Sequence, residues 1–348
     1  MPVCPSISSL AAIMSRPRFL PDNFTLALVT TVVIASLAPC RDAVATAFND
    51  ITTIAIALLF FLHGAKLSRD AIVAGATHWR LHLLVLLSTF VMFPVIGLLL
   101  RPVFAPLVTP GLYAGVLFLC VLPSTVQSSI AFTSIARGNV SAAVCSASAS
   151  SFIGIFLTPL LANVIVNTQS SAHTSALDSM FKIVLQLLVP FIAGHLSRRW
   201  IGQWIERNKG VLKFVDQGSI LLVVYTAFSE AVVEGLWHHV SPFALLMVVV
   251  LCIVLLAIAL VATGFAAKRL GFNRADQITI VFCGSKKSLA AGIPMAKVIF
   301  ASNAVGAVVL PLMLFHQIQL MTCAVLAQRW GARDQPANSA VASGSSRA

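Results

Sequence analysis

Apolar residues in this chain arrive in blocks of about the ~20 residues that a helix needs to cross a bilayer. One after another they fill roughly 22–38, 49–67, 80–100, 111–136, 139–166, 178–196, 214–236, 241–267, 277–300 and 303–327. Hydrocarbon offers no partner for a backbone N–H or C=O, so blocks of this length are expected to be helices. Only 10% of the residues are charged, where a soluble domain carries about a quarter. So few charges cannot cover a water-facing surface. The expectation is an all-α integral membrane protein with ten transmembrane helices.

The net charge of +12 has a membrane explanation, because Lys and Arg collect in cytoplasmic loops. With the N-terminus inside, seventeen of them fall on inside segments. Only Arg41, Arg101, Lys182 and Lys297 fall outside, and Lys286 and Lys287 remain within a span. That split predicts a cytoplasmic-membrane protein with both termini cytoplasmic, and it supports an even number of spans. No basic patch is interleaved with aromatics, so nucleic acid is not an expected partner. The seven cysteines are scattered without a CxxC pair, which speaks against a disulfide framework or a metal site. Met14, followed by Arg16 and Arg18, reads as an alternative start.

Ten spans divide into five and five, and an odd number per half makes the halves inverted repeats. The fourth span carries a polar break, LPSTVQSS, and so does the ninth, FCGSKKSLAAGIP. Paired interruptions at matching positions are the best sequence pointer to a transporter's binding site. In the fourth span Pro123 removes a backbone donor, and Ser124, Thr125, Gln127, Ser128 and Ser129 follow. In the ninth, Ser285, Lys286, Lys287 and Ser288 interrupt the apolar run near its middle. A lysine there costs roughly 2.5–3.5 kcal/mol and needs a reason. Adjacent residues point about 100° apart on a helix. The expectation is one ammonium facing a cavity and the other making a structural pair. These nine residues are the candidate solute-binding set. Lys286, Lys287 and Glu230 are the candidates for ion or proton coupling. No cofactor is expected.

Several features have blander readings. The serines of the fifth span read as small residues that let helices approach closely. Glu230 either pairs with the central lysines or is solvated, and Glu234 reads as solvated. His63 reads as a packing residue. The boundary between the fourth and fifth spans rests on a turn at Arg137-Gly138. The stretch RRWIGQWIERNKGVLKF reads equally as a helix lying on the inner membrane surface or as a basic loop with aromatic anchors. No HExxH, GxSxG or P-loop pattern is present, so no enzyme is expected.

The segments FLHGAKLSRDAI, HWRLHLLVLLSTFVMFPVIG, LPSTVQSSIAFTSIARGNV and FCGSKKSLAAGIPMAKVIF resemble the bile acid:sodium symporter superfamily (solute carrier family 10). The nearest resemblance is to its bacterial branch similar to member 7. The resemblance implies a panel domain of helices 1, 2, 6 and 7. It also implies a core domain of helices 3–5 and 8–10, with helices 4 and 9 broken and crossing. The sodium ligands of sodium-coupled members do not carry over: Ala143 and Ala147 stand at the hydroxyl positions of helix five. Phe282 stands at a carboxylate position, and Lys286 and Lys287 stand at a Gln-Asn pair.

The expected organisation is a cytoplasmic extension over 1–20, a ten-helix transporter domain over 21–330 and a disordered cytoplasmic tail over 331–348. The repeats fall at 21–168 and 177–330. The expected activity is secondary transport of a small organic anion by alternating access, with the helix 9 lysines replacing sodium. A sodium-coupled organic anion symporter and a non-transporting membrane sensor or partner protein remain the alternatives. The implied partners are the solute and the lipid bilayer.

Overall fold

The structure, a computed structural model, describes residues 23–66, 78–166, 176–300 and 302–333. The extension over 1–20 with Met14, and the tail beyond 333, lie outside the described residues. Every regular element among the described residues is helical. In chain order they are α1 (Asn23–Leu37), α2 (Asp42–Lys66), α3 (Trp79–Leu107), α4 (Pro110–Val121), α5 (Val126–Ile135) and α6 (Val140–Val166). They continue as α7 (Ala176–Arg207), α8 (Lys209–Val233), the short α9 (Leu236–His239), α10 (Pro242–Arg269), α11 (Arg274–Gly284), α12 (Leu289–Ile299) and α13 (Ser302–Arg333). Six of these are long and apolar enough to cross a membrane. A seventh crossing is added if α4 and α5, bent by 62°, count as one span.

The helices form two packed groups that meet. α2 packs along α7, and α8 packs on α1 and α2. α3, α5, α6, α11 and α10 pack on one another, while α13 packs on α4, α10 and α12. Apolar side chains such as Phe118, Phe228, Phe93 and Phe315 fill the space between them without exposure. Side chains that point outward are also apolar: Val261, Leu99 and Ile54 are exposed, which suits lipid rather than water.

Local chemistry explains where helices stop. Ser241 caps α10 by accepting from the Ala244 N–H at 3.1 Å, and Asn273 caps α11 by accepting from the Asp276 N–H at 2.9 Å. The turn between α5 and α6 falls at Arg137-Gly138, as expected. Its left-handed residue is Arg137, at φ 60°, and not Gly138. The glycine is required for space, because a Cβ there would lie 2.7 Å from the side chains of Ile278 and Thr133. Asn139 then ties this turn to α11. Its side-chain amide donates to Asp276 at 2.9 Å, and its backbone carbonyl accepts from the Thr279 hydroxyl at 3.0 Å.

The basic stretch after the sixth span is helical, which excludes the loop reading, but it is not a separate helix. Residues 198–207 continue α7, whose 32 residues reach about 48 Å at 1.5 Å per residue. That is longer than the ~30 Å hydrocarbon core of a bilayer. α8 begins two residues after α7 ends, which leaves no loop. α13 likewise runs three residues past the expected boundary at 330.

Candidate functional site

The two sequence breaks lie against each other, and the structure accounts for the backbone groups they free. Pro123 has no N–H, so α4 ends at Val121 and its last carbonyls need other donors. The Val121 carbonyl accepts from the Thr158 hydroxyl at 2.9 Å. The Pro123 carbonyl accepts from the Ser288 N–H at 2.9 Å. Those of Cys120 and Leu122 accept from the Lys287 ammonium at 2.7 and 2.8 Å. The Ser124 N–H, displaced from the helix, donates to the Ser150 hydroxyl at 3.0 Å. At Gly154 a Cβ would come within 2.8 Å of the Pro123 ring, so glycine lets α6 approach the break.

The second break is closed by the first. The carbonyls of Phe282 and Cys283, at the end of α11, accept from the Ser129 and Ser124 hydroxyls at 3.0 and 2.6 Å. Gln319 on α13 satisfies the backbone of Lys287. Its amide N donates to the Lys287 carbonyl and its amide O accepts from the Lys287 N–H, each at 2.9 Å. Ser288 caps α12 by accepting from the Ala291 N–H at 3.2 Å. The Ser285 hydroxyl returns to the Val281 carbonyl at 2.6 Å.

The third hydrogen of the Lys287 ammonium goes to the Thr89 carbonyl at 2.7 Å. That carbonyl is free for a definable reason. Residues Ser88–Met92 form a π-helical turn, and the Phe93 N–H reaches Ser88 instead of Thr89. The next residue, Pro94, has no N–H to offer. The ammonium is thus saturated by three carbonyls and sits 4.2 Å from the Phe93 ring centroid.

Lys286 has a different environment. Its side chain is also fully buried, yet its ammonium has no hydrogen-bond partner among the described residues. It lies 3.9 Å above the Phe132 ring and 5.5 Å from that of Phe282. The hydroxyls of Thr125 and Ser128 are likewise buried without a hydrogen-bond partner among the described residues. Gln127 is exposed and lines a cavity of about 400 Å³ with Lys66, Arg198, Lys209 and Lys213.

The nine candidate residues therefore separate by role. Ser124, Ser129, Ser285, Lys287 and Ser288 are occupied with backbone groups of the breaks. Thr125, Ser128, Lys286 and Gln127 keep polar groups uncommitted to that framework. Glu230 does not reach the central lysines. It pairs with Lys297 at 2.5 Å and accepts from the Asn49 amide at 2.7 Å. Glu234 is exposed, as expected. His63 hydrogen-bonds within its own helix, to the Leu59 carbonyl at 2.8 Å. Ala143 and Ala147 are fully buried. Three contributors escaped the sequence reading, Thr89, Thr158 and Gln319, and Ser150 was read there only as a small packing residue. The amide of Gln319 inside an apolar run was the one visible signal.

Comparison with known proteins places the chain among transporters. The model of the SBF-like CPA transporter family (DUF4137) matches residues 22–332. The uncharacterized protein PA2026 of Pseudomonas aeruginosa is 66% identical over 334 residues, covering 96% of this chain and 100% of that one. The putative symporter YfeH of Escherichia coli is 60% identical over 312 residues, covering 89% and 92%. The sodium/bile acid cotransporter 7-B of Xenopus laevis is 30% identical over 316 residues, covering 89% and 91%.

Proposed function

The chain belongs to the SBF-like CPA transporter family, whose relatives are membrane transporters and not enzymes, and from that premise we propose that it is a secondary transporter. In this reading it moves a small organic anion across the cytoplasmic membrane by alternating access. It has ten passes, with α4–α5 and α11–α12 as the broken fourth and ninth, and its termini are cytoplasmic. The panel is α1, α2, α7 and α8; the core is the remainder. The observation that carries the proposal is the mutual closure of the two breaks around buried lysines, since interrupted helices at corresponding positions mark a transporter's site.

The charge of the solute follows from the lysines. Lys287 spends its charge on carbonyls, in the manner of a bound cation, and so takes the place of a coupling sodium. Lys286 brings a second ammonium without a carboxylate partner among the described residues. Nearby positive charge with unsatisfied hydroxyls favours an anion over a cation. The competing reading is sodium-coupled anion symport, favoured by the similarity to the sodium/bile acid cotransporter 7-B of Xenopus laevis.

Purified protein in liposomes tests both. Imposed gradients are expected to drive uptake of labelled organic anions equally in sodium and in choline buffers. Strict dependence on sodium would overturn the lysine-for-sodium assignment while leaving transport intact. No flux across a panel of organic anions, with folded protein, would sink the transporter reading in favour of a non-transporting sensor.

A further inference from the structure

The cavity beside Gln127 lies among α2, α7, α8 and α5, is lined by neither of the buried lysines, and its volume of about 400 Å³ is in the range of small-ligand pockets. Four cations face it, against the carboxylates of Glu206 and Asp216. Two of the cations are already used. Lys66 pairs with Asp216, and Arg198 reaches Glu206 at 3.3 Å and the Ala65 carbonyl at 2.8 Å. The other two, Lys209 and Lys213, are exposed and have no carboxylate partner among the described residues. They stand four residues apart on α8, so their side chains are neighbours on one helix face.

We propose that this cavity is a binding site for a small solute carrying at least two negative charges, held by Lys209 and Lys213 together. Two ammonium groups one turn apart repel each other. A dianion that bridges them relieves that repulsion, whereas a monoanion compensates only one. Ile205 and Leu212 supply a short apolar wall for a carbon skeleton, and the Gln127 amide supplies a neutral donor and acceptor on the side of α5. Gln127 belongs to the fourth-span break, so a solute held here touches the segment that the transporter reading places at the site. The inference rests on that reading for the solute's onward path, and on the cavity alone for its charge. A phosphomonoester headgroup on a lipid, as in phosphatidic acid, has the same dianionic chemistry as a soluble phosphate. The apolar wall is short and the cavity is bounded by four helices, so a soluble dianion is the occupant argued for.

The test uses the full chain in phosphatidylcholine nanodiscs. Thermal unfolding is followed during titration with inorganic phosphate, succinate, acetate or chloride at matched ionic strength. Phosphate and succinate are expected to raise the Tm saturably, and acetate and chloride to leave it unchanged. The Lys209→Gln/Lys213→Gln double variant is expected to raise the apparent Kd for phosphate about tenfold, while Lys209→Arg/Lys213→Arg retains binding. Equal effects of acetate and phosphate, or parental affinity in the glutamine double variant, would overturn the proposal. So would a response to phosphatidic acid nanodiscs with none to the soluble anions, which would make this a lipid headgroup site. Uptake of labelled phosphate and succinate into liposomes separates the two readings. Saturable binding without flux defeats the transporter reading and leaves the site standing. Flux that ignores the glutamine double variant does the reverse.

Discussion

Replacing each central lysine by methionine separates two ammonium groups that the sequence presents as equivalent. In Lys287→Met the carbonyls of Thr89, Cys120 and Leu122 lose their donor. Hydrogen bonds from a charged donor contribute about 1.5–3 kcal/mol each, so the gross loss is roughly 5–9 kcal/mol. Removing the ammonium recovers its own cost of burial, roughly 2.5–3.5 kcal/mol. The net destabilisation is roughly 2–6 kcal/mol, a large part of the stability of any single domain. In Lys286→Met no hydrogen bond among the described residues is lost. The cation–π contact with Phe132 is worth about 2 kcal/mol when desolvated, against the same recovery of roughly 2.5–3.5 kcal/mol. Stability is therefore expected to stay level or rise by about 1 kcal/mol. Unfolding of both variants in one detergent, by intrinsic fluorescence against temperature and against denaturant, measures the difference. The division of roles fails if the two variants lose equal stability, or if Lys286→Met is the more damaging.

Four further expectations follow from named contacts. Ser150→Ala removes the acceptor of the displaced Ser124 N–H and is expected to cost about 1–3 kcal/mol, with reduced flux; an unchanged denaturation midpoint would show that water substitutes there. Gly154→Leu forces a side chain into the Pro123 ring and is expected to abolish folded, monodisperse protein in size-exclusion chromatography, whereas Gly→Leu at Gly218, where nothing lies within 4 Å of a Cβ, is expected to leave the elution profile unchanged. Glu230→Gln leaves the partly buried Lys297 without its counter-ion and loosens α12 from α8 and α2. It is expected to lower stability by about 1–3 kcal/mol, with Glu230→Gln/Lys297→Gln recovering part of the loss in a double-mutant cycle. Reporter fusions after Trp330 and after Arg101 are expected to report opposite sides of the membrane, and agreement between them would refute the ten-pass topology.

The sequence alone determined what depends on neighbours along the chain. Block length and the scarcity of charge require membrane helices, because unsatisfied backbone cannot enter hydrocarbon. Pro123 and the Ser285–Ser288 run mark the breaks, because a missing N–H and a polar cluster disrupt any helix that contains them. The tertiary structure decided which groups answer those breaks. Every residue except proline carries the same N–H and C=O, so no sequence pattern singles out the carbonyls of Thr89, Cys120 and Leu122 as the three beside Lys287. The difference between Lys286 and Lys287 is also invisible along the chain. It arises because one side chain meets the π-helical turn of α3 and the end of α4, while its neighbour meets the rings of Phe132 and Phe282. Glu230 found Lys297 and not the central lysines for the same reason. Which ionic partner a side chain gains is set by the packing of α8 on α12, a distance in space that has no counterpart in residue number.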